Sequence, residues 1–349
     1  MNEHNATPGA RRPLRIVAVQ LEGRIGDLEH NLNQVEALIG AALEKQPDVI
    51  ALPEFFTTPI AYDHCLFACS LPPDNPALDL LRTVARRHNV LIGGSYLEYR
   101  HGDVFNTYVL VEPDGDVHRH DKDLPTMVEN VFYRGGSDDG VFQTGIGRIG
   151  TAVCWELVRT QTVRRLQGRV DLLMTGSHWW SPPIGWPVLS GFMDEMQAQN
   201  ELYMYETPGT FARLVGAPLV HAGHVGTLDR PVSLVPGGGL RLPFKSVLMG
   251  ETQITDRDGV VIARRTRQEG AGILFGEVGM GAREPAEPIP DRFWIPELTK
   301  RFRLLWSHQN WVSKPEYARA KARGLLRPAT IAPRPQSGNL APAEDLERV

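Results

Sequence analysis

Leu14-Arg15-Ile16-Val17-Ala18-Val19-Gln20-Leu21, a periodic stretch from Asp27 to Leu43, then Asp48-Val49-Ile50-Ala51-Leu52 running into Pro53-Glu54: this opening of the chain sets its fold class. The first run is of strand length and nearly all apolar, the pattern of a strand buried on both faces, and Glu22-Gly23 closes it. Behind Asp27, a good N-cap type, Leu28, Leu32, Val35, Leu38, Ile39, Ala42 and Leu43 recur at spacings of three and four, which predicts one apolar face of a helix ending at Gln46-Pro47. A second all-apolar run follows at once. Strand, helix and strand with short joints make a β-α-β unit, whose strands are expected to be parallel and covered on both sides.

Working outward, a helix is predicted from Pro76 to His88 and a strand from Val90 to Tyr96. Val104 to Val111 and Val117 to His120, joined through Pro113-Asp114-Gly115-Asp116, read as a hairpin, since Asp-Gly is a strong turn signal between such runs. Another strand region, Val141 to Cys154, carries the turn Gly145-Ile146-Gly147. After it come a helix containing Arg159 to Gln167, a strand from Val170 to Ser177, a helix around Gly191 to Tyr203, a strand at Pro218 to Gly223, a hairpin within Ser246 to Arg264, and a closing strand, Ala271 to Val278. Parallel units and hairpins in one unbroken series predict a single α/β domain over 14–280, after a flexible 1–13. Residues 281–326 read as an extension that either forms a subunit interface or folds back on its own domain, with helices expected at Ile295 to Trp306 and Pro315 to Arg323, and 327–349 as a flexible tail.

With 37 basic and 41 acidic residues in 349, the formal charge is −4, which gives no electrostatic footprint for nucleic acid or a membrane surface. A small-molecule partner is expected. Three cysteines (Cys65, Cys69 and Cys154) do not make a disulfide framework, and neither a signal-peptide pattern nor a run of 18 apolar residues is seen, so the expectation is a cytoplasmic protein with free thiols.

Three polar residues stand where apolar strands run out: Glu54 after Leu52-Pro53, Lys122 after the hairpin, and Cys154 after Gly150-Thr151-Ala152-Val153. Singly, each has a structural explanation, as a solvated carboxylate, a surface lysine and a buried filler. Together they matter more, because strand ends are where ligand crevices form in open α/β sheets.

The triple resembles the nitrilase superfamily, the carbon-nitrogen hydrolases, over roughly residues 14 to 280. The resemblance rests on Leu52-Pro53-Glu54-Phe55, on His120-Asp121-Lys122-Asp123-Leu124-Pro125 and on Gly150-Thr151-Ala152-Val153-Cys154-Trp155-Glu156, in the family's order. Asn31 and Gly176-Ser177-His178-Trp179 add to it. The resemblance implies a four-layer α-β-β-α sandwich, homo-oligomers of two or more subunits, and a catalytic Glu-Lys-Cys triad. Glu129, on the loop after Lys122, stands close to where many members carry a second glutamate, which would orient Lys122 or the substrate.

These residue types suit the chemistry in their own right. Amide hydrolysis needs a nucleophile, a proton carrier and an oxyanion site. Cys154 is the thiol nucleophile; Glu54 takes its proton, passes it to the leaving amine and later activates water; Lys122 and the Trp155 backbone N–H face the oxyanion. Substituting Glu54 or Lys122 is therefore expected to slow the chemistry with little effect on melting. Candidate pocket residues are Phe55, Tyr62, His178 and Trp179, with Trp180 and Trp186 as further walls and Arg134 as a substrate anchor. Glu156 could anchor the elbow and is given no chemistry. No metal site is expected: His221 and His224, and Cys65 and Cys69 near His64, lack a second ligand pair at metal spacing. The expectation is cofactor-free hydrolysis of a small amide or N-carbamoyl compound, with nitrile hydrolysis second and a catalytically silent scaffold as the reading from another class.

Overall fold

The computed structural model describes residues 12–185, 190–285 and 287–330. Residues 1–11, Trp186 and 331–349, which hold most of both expected flexible ends and one pocket candidate, lie outside the described residues. Sixteen strands run in chain order: β1 (Leu14–Leu21), β2 (Val49–Ala51), β3 (Leu91–Arg100), β4 (Asp103–Val111), β5 (Val117–Asp121), β6 (Val141–Thr144), β7 (Gly147–Val153), β8 (Leu172–Ser177), β9 (Leu219–His224), β10 (Thr227–Asp229), β11 (Val232–Ser233), β12 (Arg241–Leu242), β13 (Lys245–Val247), β14 (Thr252–Thr255), β15 (Val261–Arg265) and β16 (Gly272–Val278). The helices are α1 (Leu28–Leu43), α2 (Pro76–His88), α3 (Thr160–Leu166), α4 (Ser190–Val215) and α5 (Lys300–Ala322).

The opening unit forms as its pattern dictates. Asp27 caps α1 by accepting from the His30 N–H at 3.1 Å, and Leu32, Val35, Leu38 and Ile39 turn inward. Burying each such side chain is worth about 1.5–3 kcal/mol, so this one face holds the helix down. β1 and β2 pair in parallel, Ile16 beside Val49 and Ala18 beside Ala51. Asn75 caps α2 through the Leu78 N–H, Pro76 takes the first turn, and Asn89 ends the helix in a left-handed conformation.

The main sheet runs β5-β4-β3-β2-β1-β9-β8-β7-β6, with β16 also on β1 and the β14–β15 hairpin on β9. Its two halves are joined in the sheet where Gln20 and Leu21 pair with Gly223 and His224. The inward side chains of both, among them Ile16, Ala51 and Tyr108 from one and Ile149, Met174 and Val220 from the other, form one apolar cluster. Outside, Val17, Val19 and Ile92 pack under α1 and α2, while Ala152, Leu173 and Leu219 pack under α3 and α4. The result is the expected α-β-β-α layering. Among the described residues, no helix is long and apolar enough to cross a membrane.

Two helices differ from their predicted extents. α4 runs on past Tyr203 to Val215 through Pro208, and α5 is one helix through Pro315 in place of two. Proline costs a helix about 3 kcal/mol, and tertiary burial outweighs that here: Phe211, Ala212 and Val215 in α4, and Phe302, Val312 and Ala320 in α5, are all buried. Ile295 lies in a bend before α5, where its N–H donates to the Val158 carbonyl. The extension folds back on its own chain. Asn310 of α5 accepts from the Met127 N–H at 3.0 Å and from Asn130 Nδ2 at 2.7 Å, so α5 holds the loop that carries Glu129. Beyond α5, the Ala329 N–H donates to the Ser70 carbonyl. Leu304 and Trp311 remain largely exposed.

Candidate active site

Glu54, Lys122, Glu129 and Cys154 arrive on three connections, after β2, β5 and β7, with Lys122 and Glu129 sharing the second, and all are buried. The Lys122 ammonium donates to Glu54 Oε1 at 2.9 Å and to Glu129 Oε2 at 2.7 Å. A ligand-type atom from each of Glu54, Glu129 and Cys154 lies within 4.8 Å of the others. These are the donors that could hold a metal, but the ammonium already takes the cationic position between the two carboxylates.

Each loop is tightly specified. Phe55, next to Glu54, Met127, two residues before Glu129, and Cys154 itself have φ of 55, 52 and 53°, a region that side chains other than glycine seldom adopt. Such backbone clusters at working sites, where surrounding structure holds it in place. At the elbow it turns Cys154 out of β7 into the one-turn helix Cys154–Val158, whose first N–H groups, Trp155 included, lack intrahelical partners. β8 passes so close to Glu54 that a Cβ on Gly176 would lie 2.7 Å from the Glu54 nitrogen, so only glycine fits there.

Sequence reading missed several supports. Asn106 Nδ2 donates to Glu54 Oε1 and the His178 N–H to Glu54 Oε2, both at 2.8 Å. His224 Nε2 bonds the Glu54 carbonyl at 2.6 Å. Glu129 Oε2 accepts from the Thr126 N–H at 2.9 Å and from the Tyr133 hydroxyl. Asn31 ties the neighbouring loops, its amide donating to the Arg24 and Thr57 carbonyls.

These surroundings set the proton affinities. Burial, only partly offset by Lys122, raises Glu54 to about 7. Burial and then the Glu54 charge push the Cys154 thiol well above its ordinary range. Burial opposes the charge on Lys122, but Glu129 and Glu54 hold it protonated. The resting site is thus a neutral thiol beside a base poised near neutrality.

A cavity of about 20 Å³, enough for one water, touches Cys154, Glu129, Trp155, His178, Trp179 and Trp180. Of the other pocket candidates, Tyr62 lines a separate, larger cavity. Phe55 lines neither cavity; it packs edge-on to Tyr133 and His178. Arg134 is half exposed and paired with Asp103 at 3.2 Å, away from the triad, so a substrate-anchor role does not fit its place. His221 and His224 stay neutral, with burial driving them to about 3 and about 4.

The family model for carbon-nitrogen hydrolases matches residues 15–286. The chain belongs to the carbon-nitrogen hydrolase family. It is 33% identical over 289 residues to a cyanide hydratase from Aspergillus niger, covering 75% of this chain and 77% of that protein. It is 25% identical over 305 residues to an aliphatic nitrilase from Rhodococcus rhodochrous, covering 79% and 78%. In fold it is similar to an amidase from Nesterenkonia sp., with a TM-score of 0.58 at 18% identity over 86% of this chain and 97% of that one. A Saccharomyces cerevisiae member of branch 10 of the nitrilase superfamily likewise gives 0.58, at 17% identity over 78% and 92%.

One feature of this hydrolase joins two catalytic loops from behind. Glu156, two residues after Cys154, accepts from the Val153 N–H at 2.7 Å and bonds His120 Nε2 at 2.9 Å. His120, two residues before Lys122, meets Asp138 at 2.6 Å through its other nitrogen, so the ring donates on both sides only as imidazolium. Burial opposes that charge, but Glu156 and then Asp138 outweigh it and raise His120 to about 9. The raised value means that the stabilisation is full below the ordinary imidazole range and is lost as pH rises through about 9. His120→Gln is expected to cost about 3 kcal/mol at pH 6, with the deficit shrinking above pH 9 in urea unfolding. A deficit independent of pH would refute the charged pair.

Proposed function

We propose that this chain hydrolyses the carbon–nitrogen bond of a small amide or N-carbamoyl compound through a thioester on Cys154, without a cofactor. The observation that carries the reading is a buried carboxyl, Glu54, raised to about 7 beside a thiol that burial keeps protonated. Neither group alone supports attack at neutral pH. Together they can: as the thiol sulfur adds to the carbonyl carbon, Glu54 takes its proton, then gives it to the departing nitrogen, and the thioester remains. Water enters, Glu54 takes its proton, and the acid leaves with the thiol restored. Lys122 stays charged throughout and, with the Trp155 N–H, faces the developing oxyanion.

Nitrile hydrolysis is the second reading, supported by the relatives named aliphatic nitrilase and cyanide hydratase. A relative named omega-amidase, 34% identical over 155 residues and so over 44% of this chain, supports the amide reading. Ammonia release from matched amides, N-carbamoyl compounds and nitriles of the same acids separates them. Turnover of nitriles alone would overturn the amide reading, and silence on all three would favour a scaffold.

The same assay gives a pH test. Attack needs ionised Glu54, so kcat/KM is expected to rise with pH through about 7 and then level. A profile flat from pH 5 to 9 would remove Glu54 from the role of base.

A further inference from the structure

The cavity at Cys154 has room for a reacting group and little else, so the rest of any substrate must lie beyond it. Trp180 and Leu305 line that cavity and also line a second one of about 480 Å³. The larger space lies between α5, the β10–β13 excursion and the loop after Glu54, and its size is that of a small-molecule site. Its walls include Ile60, Leu228, Val232, Leu242, Phe244 and Leu304. Trp180 stands at the partition with its ring edge-on to Phe244, centroids 5.5 Å apart.

The polar groups on this wall narrow the ligand. Arg230 is already paired with Asp63 at 2.7 Å and Arg301 with Glu195 at 2.7 Å. The Ser246 hydroxyl, fully buried, has no hydrogen-bond partner among the described residues. A charged chain end would therefore lose its hydration against hydrocarbon, whereas a neutral alkyl or aryl group would gain by leaving water, with Ser246 free to meet one polar atom. We propose that the 480 Å³ cavity binds the apolar end of the substrate's acyl chain, with its reacting carbon at Cys154 and the chain passing Trp180 and Leu305. The inference rests on the hydrolase reading for what sits at Cys154, but not on the choice between amide and nitrile.

The test is calorimetric binding of propanamide, butanamide, pentanamide, hexanamide and the hexanamide analogue ending in carboxylate to the Cys154→Ala protein. Kd is expected to tighten about fourfold per methylene from propanamide to hexanamide, and the carboxylate analogue is expected to bind at least tenfold more weakly than hexanamide. Leu242→Trp, combined with Cys154→Ala, narrows the cavity and is expected to abolish the slope. Leu304→Trp, at an exposed part of the rim, is a second obstruction for which folding is not at issue. A Kd independent of chain length, binding too weak to detect at every length, or equal binding of the carboxylate analogue would overturn the proposal. Ammonia release by the unsubstituted protein from these amides and from the matching nitriles is scored separately: a binding slope without turnover of either refutes the hydrolase reading and leaves the cavity assignment standing, and turnover without a slope does the reverse.

Discussion

Cys154→Ala is expected to lower turnover by roughly 10⁴- to 10⁶-fold, the range that follows loss of a covalent nucleophile. Cys154 is buried just after β7, with its sulfur beside the carboxylates of Glu54 and Glu129, and on the proposed mechanism that sulfur is the nucleophile. Removing it leaves a small cavity, at a cost of about 1 kcal/mol, so unfolding in urea is expected to shift little. Cys65 and Cys69 lie elsewhere, on the turn His64–Ala68 and just after it, and burial raises both thiols, to about 12 and about 11. Alanine at either is expected to keep full activity. A Cys154→Ala protein with more than a hundredth of normal turnover would remove the thiol from the mechanism.

Glu54→Gln and Lys122→Ala are expected to differ in a way that sequence alone does not suggest. Glutamine keeps the volume and one acceptor, but it sets an NH₂ against either Lys122 or the His178 N–H, both donors. Turnover is expected to fall about 10³- to 10⁴-fold with a stability loss of about 1–3 kcal/mol. Lys122→Ala is worse for the fold, because it leaves Glu54 and Glu129 facing each other in a buried site. Losing one partner of a buried ion pair costs about 3–5 kcal/mol, and here one cation serves two carboxylates. The expectation of little effect on melting is thereby corrected for Lys122. Urea unfolding of the two variants decides it: equal stabilities would contradict the shared-ammonium geometry.

Glu54, Lys122 and Cys154 were legible as candidates because each follows a strand with a strong local signal. Their partners come from tertiary pairing. Asn106 of β4 lies two strands from β2 in the sheet, yet its side chain reaches Glu54 after β2, while its carbonyl accepts from the Lys122 N–H after β5. An amide inside the apolar run from Val104 to Val111 was the available hint. Tyr133 meets Glu129 four residues back because Met127–Val131 forms a helical turn, which α5 holds through Asn310. Arg134 read as a possible substrate anchor because its partner, Asp103, starts a strand 31 residues earlier. The ends of α4 and α5 were obscured by Pro208 and Pro315, whose local cost is overruled by burial that only the folded chain shows.

The central claim is a common acyl intermediate on Cys154, and partitioning tests it most directly. An amide, an N-methylamide and an ester of one acid are each turned over in the presence of hydroxylamine, and the ratio of hydroxamate to free acid is measured. Because all three donors would pass through the same Cys154 thioester, the ratio is predicted to be the same for each at a fixed hydroxylamine concentration. A ratio that changes with the leaving group would show that water and hydroxylamine attack before the acyl group reaches Cys154, and would contradict the account.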